Sequence, residues 1–168
     1  MASPLKLPPQ NLEAEQSVLG ALMLDKDAGI HVADILISGD FYKPAHSKIY
    51  GIILELYEKR EPVDILSVTA KLTNEGVLKE IGGNTYLTQL IESVPSSAHI
   101  EHYAKIVKEK RILRDLINTS AEISENAFNS TEDIEVTLDA IEQKIFSLSQ
   151  HSSNQKFVHL KTDLQGAY

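Results

Sequence analysis

Between Ser97 and Phe128 the chain contains neither glycine nor proline, and that run limits the fold more than any other stretch. Tyr103, Val107, Leu113, Leu116, Ile117, Ile123 and Ala127 supply its apolar positions, so it reads as one long helix. The tripeptide "NST" interrupts it, and Ser130 can cap a second long helix with Asp133 three residues on. Ile134, Leu138, Ile141, Ile145 and Leu148 then step by 4, 3, 4 and 3. Two long helices joined by three residues make an antiparallel hairpin over 97–150.

A pair of arms this long leaves more apolar edge than one partner helix covers, because Val136, Ala140 and Phe146 lie off the main stripe. Charge is also segregated. Lys105, Lys108, Lys110, Arg111 and Arg114 gather at the base of the first arm, and Glu132, Glu135, Asp139 and Glu142 gather near the tip of the second. Pairing outward from the turn sets Arg114 beside Phe146 and Glu142 beside Asn118, so the clusters do not meet within one hairpin. Two hairpins packed antiparallel would bring them together. The expectation is self-association held by apolar burial, with a subunit interface at Leu113, Leu116, Ile134, Leu138, Ile141, Ile145 and Leu148; the alternative is a hairpin folded back on the preceding domain.

The preceding residues, 1–96, read as a compact head of short helices, giving an all-α fold class with no strand required. Asn11 caps a first helix with Leu12, Val18, Leu19, Leu22 and Met23 on its stripe and Glu13 and Glu15 in its first turn. A second, shorter helix runs through Ile30, Ala33, Ile35 and Leu36 to a stop at Ser38 and Gly39. Pro44 opens a third, with Ile49, Ile52, Ile53, Leu56 and Tyr57 forming a continuous stripe until Pro62 ends it. Asp64 caps a fourth carrying Leu66, Ala70 and Leu72, closed at Gly76, and the Gly82-Gly83 turn with an Asn84 cap opens a fifth.

Chemistry is sparse. With no cysteine, thiolate metal sites and thiol nucleophiles are excluded, which suits a reducing, cytoplasmic setting. A net charge of -8 disfavours this segment as a principal nucleic-acid grip, since phosphate binding rests on clustered Lys and Arg. No apolar run is long enough to span a membrane. None of the eight glycines opens a phosphate-binding loop ending in Lys and Ser or Thr, so no cofactor or catalytic residue is expected. His99 and His102 can share a helix face but lack a third ligand in sequence, so no metal is expected. His46 has no Ser or Cys nucleophile or carboxylate pair beside it and reads as structural; Glu13 and Glu15 read as first-turn dipole partners.

The segments "LPPQNLEAEQSVLGALML", "DFYKPAHSKIY", "EPVDILSVTAKL", "IGGNTYLTQL" and "HYAKIVKEKRILRDLI" together resemble the N-terminal domain of bacterial DnaB-type replicative DNA helicases, in order and spacing from Leu7 to the end. The resemblance implies a helical head, the hairpin, a linker at 151–160 and the start of a linker helix at 161–168. It also implies a hexameric ring whose ATP- and magnesium-dependent motor domain, acting on single-stranded DNA, is absent here, so this segment would have no catalytic activity alone. Leu160, Leu164 and Tyr168, at i, i+4 and i+8, would dock the linker helix on the neighbouring motor, in a chain continuing past Tyr168. The implied partners are sister copies in a collar, a helicase loader and primase, with primase docking carried to Tyr86, Ile117 and Ile123. A stand-alone helical adaptor or loader-like protein that mimics the collar is the alternative.

Overall fold

The computed structural model describes the backbone of residues 6–165 and the side chains of residues 6–150. Among the described residues every regular element is helical: α1 (Leu12–Leu24), α2 (Ala28–Val32), a 3-10 turn (Ser38–Asp40), α3 (Pro44–Glu58), α4 (Ile65–Asn74), α5 (Gly83–Glu92), a second 3-10 turn (Ser97–His99), α6 (Ile100–Asn129) and α7 (Ile134–Gln165). They form two compact units, one reaching Arg111 and the other beginning at Ile112. The head expected to stop at residue 96 thus takes in the first turns of α6, because Ile100, Ala104 and Val107 are buried in its core. The backbone of α7 is helical to Gln165 and so includes 151–160, the stretch expected as a linker.

Local chemistry explains where each head helix begins. Asn11 Oδ1 accepts from the Ala14 amide at 2.9 Å, and an Asp64 oxygen accepts from the Ser67 amide at 2.8 Å, each satisfying a first-turn donor that the helix leaves open. Pro44 occupies the first turn of α3, where its missing N–H is harmless. At the other end, Arg60 takes the left-handed conformation with φ of 56° while the Glu61 amide returns to the Leu56 carbonyl. Entry to α5 differs from expectation. The cap is Gly82 at φ 109°, followed by Gly83 at φ 71°, and Asn84 lies inside the helix. Only glycine suits Gly82, since a Cβ there would also come within 2.9 Å of Tyr86 Cβ.

Val18 and Leu19 of α1, Ile49 and Tyr50 of α3, Leu72 of α4 and Leu87 of α5 meet in one core with almost no exposure. Several positions assigned to the helical stripes point to water instead, with Leu66 at 78% exposed, Ile30 at 61%, Leu12 at 40% and Tyr57 at 37%. In α4 the buried pair is Val68 and Leu72, which sets the inward face on the side of the helix away from Leu66. Between α1 and α5, Gly20 lets the Leu90 carbonyl come against the helix.

An acid-sensitive strut joins α3 to α4. Glu55 Oε1 accepts from Lys59 Nζ at 2.6 Å and from Lys71 Nζ at 2.8 Å. These bonds, Lys59 first, hold the carboxyl down to about 2. Because the folded value is depressed, the contribution is full above the ordinary carboxylate range and is lost as pH falls toward 2. We therefore expect Glu55→Gln to flatten the acid limb of the stability curve between about pH 4.5 and 2, read from urea midpoints at stepped pH. An unchanged limb would mean that the strut contributes nothing to the folded head.

Candidate functional site

The most concentrated polar geometry in the head lies beneath α5. Glu15 on α1 is 1% exposed and His46 on α3 is 0% exposed, and Glu15 Oε2 sits 2.6 Å from His46 Nδ1. The carboxylate also takes the Tyr42 amide on Oε1 at 2.7 Å and the Lys43 amide on Oε2 at 3.4 Å. A carboxylate only accepts, so a ring proton belongs on Nδ1, and in the tautomer protonated there alone Nε2 accepts from the Tyr86 hydroxyl at 2.6 Å. The Tyr86 oxygen in turn accepts from Lys43 Nζ at 2.8 Å, and that ammonium lies 4.2 Å from the Tyr86 ring centroid. His46 and Tyr86 stack with ring centroids 6.0 Å apart and planes 8° apart.

Sequence reasoning missed this connection. It treated Glu13 and Glu15 as equivalent dipole partners, yet Glu13 is exposed and Glu15 is a buried acceptor of three donors. The available signal was position: Glu15 sits among Ala14, Val18 and Leu19 on the inward face, where an unpaired carboxylate would be prohibitive. Tyr86, expected at a docking surface, is half-buried, and its hydroxyl is engaged with His46 and Lys43.

In the second unit the two arms are tied by Lys144 Nζ to Glu122 at 2.9 Å and by the Ser130 and Thr137 hydroxyls at 2.9 Å. Ser130 is therefore not the cap; the Asp133 carbonyl accepts from the Thr137 amide at 3.2 Å. Four residues, 130–133, separate α6 from α7. Lys144 consequently meets Glu122, whereas outward pairing from "NST" would set it beside Leu116. Of the expected interface, Leu113, Leu116, Ile134, Leu138 and Ile145 are each 42% exposed or more, and Ile141 and Leu148 are half-buried. Ile117 is 54% exposed and Ile123 is half-buried; both lie in this unit, whereas Tyr86 lies in the head.

The basic cluster is partly engaged within the head. Lys108 Nζ bonds both oxygens of the buried Asp40, at 3.0 and 3.2 Å, and Arg111 donates to the Gly39 carbonyl. These two cations anchor the base of α6, so the expected complementarity between hairpins falls on fewer charges. His99 and His102 line a groove of about 460 Å³ together with Asp25, His31, Glu101 and Lys105, and His31 Nδ1 pairs with Glu101 at 3.0 Å. Among the described residues no group of three His, Cys, Asp or Glu is placed to hold a metal ion. No helix among the described residues is long and apolar enough to cross a membrane.

Residues 7–109 match the family described as the DnaB-like helicase N-terminal domain. The chain is 42% identical over 163 residues to the replicative DNA helicase DnaB of Geobacillus stearothermophilus and 43% identical over 163 residues to the replicative DNA helicase DnaC of Bacillus subtilis. Each alignment covers 97% of this chain and 36% of the relative, so the chain spans little more than a third of those proteins. The N-terminal domain of DnaB helicase from Mycobacterium tuberculosis is similar in structure, with a TM-score of 0.79 and 41% identity over 84% of this chain and 99% of that one. A DnaB-like replicative helicase solved with its interactions with primase shares the fold, with a TM-score of 0.70 and 23% identity over 94% of this chain and 36% of that one.

Proposed function

Because the chain belongs to the family of DnaB-like helicase N-terminal domains, we propose that it is the collar segment of a hexameric replicative DNA helicase, assembling subunits and docking primase during DNA replication. The observation that carries this reading is the exposed apolar stripe on the hairpin, with Leu113, Leu116, Ile134, Leu138 and Ile145 facing water. Large apolar side chains exposed together on one element mark interaction surfaces, and burying them against a sister hairpin releases roughly 25 cal/mol per Å². Ile117 and Ile123 supply apolar contacts for the helical C-terminal domain of primase, and the Tyr86 ring a contact on the head. The chemistry of unwinding, with ATP and magnesium, belongs to a motor domain outside this segment. So do the main contacts to single-stranded DNA and the surface on which Leu160, Leu164 and Tyr168 dock. The side chains of those three residues lie outside the described residues. A loader would act on the assembled cytoplasmic ring.

Sedimentation across a concentration series tests the assembly. We expect the chain to self-associate and Leu138→Glu with Ile145→Glu to shift dissociation by about 30-fold or more, since central apolar contacts typically carry about 2 kcal/mol or above. A monomer at every concentration would end the collar reading. Titration with the primase C-terminal domain tests docking separately. Ile117→Glu should abolish micromolar binding, and absence of binding by the unaltered chain would remove primase while leaving assembly in place.

A further inference from the structure

With His46 protonated on Nδ1 alone, the bonds linking Lys43, Tyr86, His46 and Glu15 all point one way: Lys43 Nζ donates to the Tyr86 oxygen, Tyr86 O–H to His46 Nε2, and His46 Nδ1–H to Glu15. A hydroxyl bonded to an imidazole whose other nitrogen is fixed by a buried carboxylate is the arrangement that activates oxygen nucleophiles. Here the oxygen is a phenol, with an ammonium 2.8 Å away to steady negative charge as the proton leaves. Glu15 and His46 are fully buried, whereas Tyr86 and Lys43 are half-buried, so the array is closed at the acid end and reaches toward solvent at the phenol.

We propose that Tyr86 is a covalent modification site, an acyl acceptor for small activated acyl donors such as acyl phosphates or acyl imidazoles. The Tyr86 oxygen attacks the donor carbonyl carbon, the bond from that carbon to the leaving group breaks, and its electron pair departs with the leaving group. The phenolic proton passes to His46 Nε2 and on to the leaving group, so phenol and donor give a phenyl ester and the protonated leaving group, with no oxidant or reductant. Glu15 is a positioning residue that holds the ring in the accepting tautomer. Acylation would remove the proton that Tyr86 donates to His46 and crowd Lys43, and so change the surface α5 presents.

Tyr57 provides the internal standard, being 37% exposed and outside the array. The full chain is treated with limiting N-acetylimidazole, and acetylation of each tyrosine is followed by peptide mass mapping. Tyr86 is expected to react at least about tenfold faster than Tyr57, a margin set below the roughly hundredfold or more that a positioned base typically supplies. Lys43→Gln and His46→Gln, each checked for native helicity by circular dichroism, are the variants, and loss of the advantage in either supports the proposal. Tyr86 reacting no faster than Tyr57 overturns it. So does an advantage that persists in both variants, which would trace it to exposure alone.

Discussion

Glu15→Ala is expected to destabilise the head by about 3–5 kcal/mol, since the buried carboxylate satisfies three donors and each one left unsatisfied costs roughly 1–3 kcal/mol. The substitution strands the His46 Nδ1 proton and the Tyr42 and Lys43 amides, all of which now end on that carboxylate. Each stranded donor carries its own desolvation penalty, and a typical domain has only about 5–15 kcal/mol in hand. Urea unfolding followed by far-ultraviolet circular dichroism measures the loss directly. Glu13→Ala is the matched comparison, on another face of the same helix and exposed, where only the dipole contribution of about 0.3–1 kcal/mol is at stake. Equal effects from the two substitutions would mean that the buried pair does not hold α1 to α3.

Gly20→Ala carries the second large effect, and its mechanism is purely steric. An added Cβ would lie 2.1 Å from the Leu90 carbonyl oxygen and 2.4 Å from Val94 Cγ2. The first of these is backbone within α5, which cannot rotate aside, so α1 and α5 must separate. Overpacking of this kind costs about 3 kcal/mol, outweighing the gain of up to about 1 kcal/mol that alanine normally brings to a helix interior. Gly51, inside α3, meets nothing nearer than Ser38 Oγ at 3.4 Å, so Gly51→Ala should leave the head stable or raise it by about 0.5–1 kcal/mol. Thermal unfolding of the two variants should therefore move in opposite directions; parallel shifts would refute the close approach.

The comparison of Glu13 with Glu15 also marks how far the sequence could be read. Helices α1 and α3 were legible because the Asn11 cap of one and the first-turn Pro44 of the other agree with their apolar spacing, and the hairpin because an uninterrupted run leaves few alternatives. Those signals are local. The pairs that build the array are not: Glu15 and His46 are 31 residues apart, and His46 and Tyr86 are 40 apart, so nothing in the spacing joins them. Leu66 shows the same limit from the other side, since a cap and a hydrophobic residue identify the helix but not which of its faces the rest of the fold will cover. The Gly82-Gly83 turn was visible as a turn, while its left-handed geometry, which makes Gly82 and not Asn84 the cap, depends on where Tyr86 must sit.

The early turns of α6 have a consequence for modularity. Ile100, Ala104 and Val107 seal the head, and Lys108 and Arg111 fasten to Asp40 and the Gly39 carbonyl. A truncation placed at the loop before Ser97 would open a hole in the head and leave Asp40 a buried acid stripped of its cation. Chimeras that exchange arms between relatives must be spliced within the helix, beyond Arg111, where a join adds turns to a helix whose nucleation the head has already accomplished.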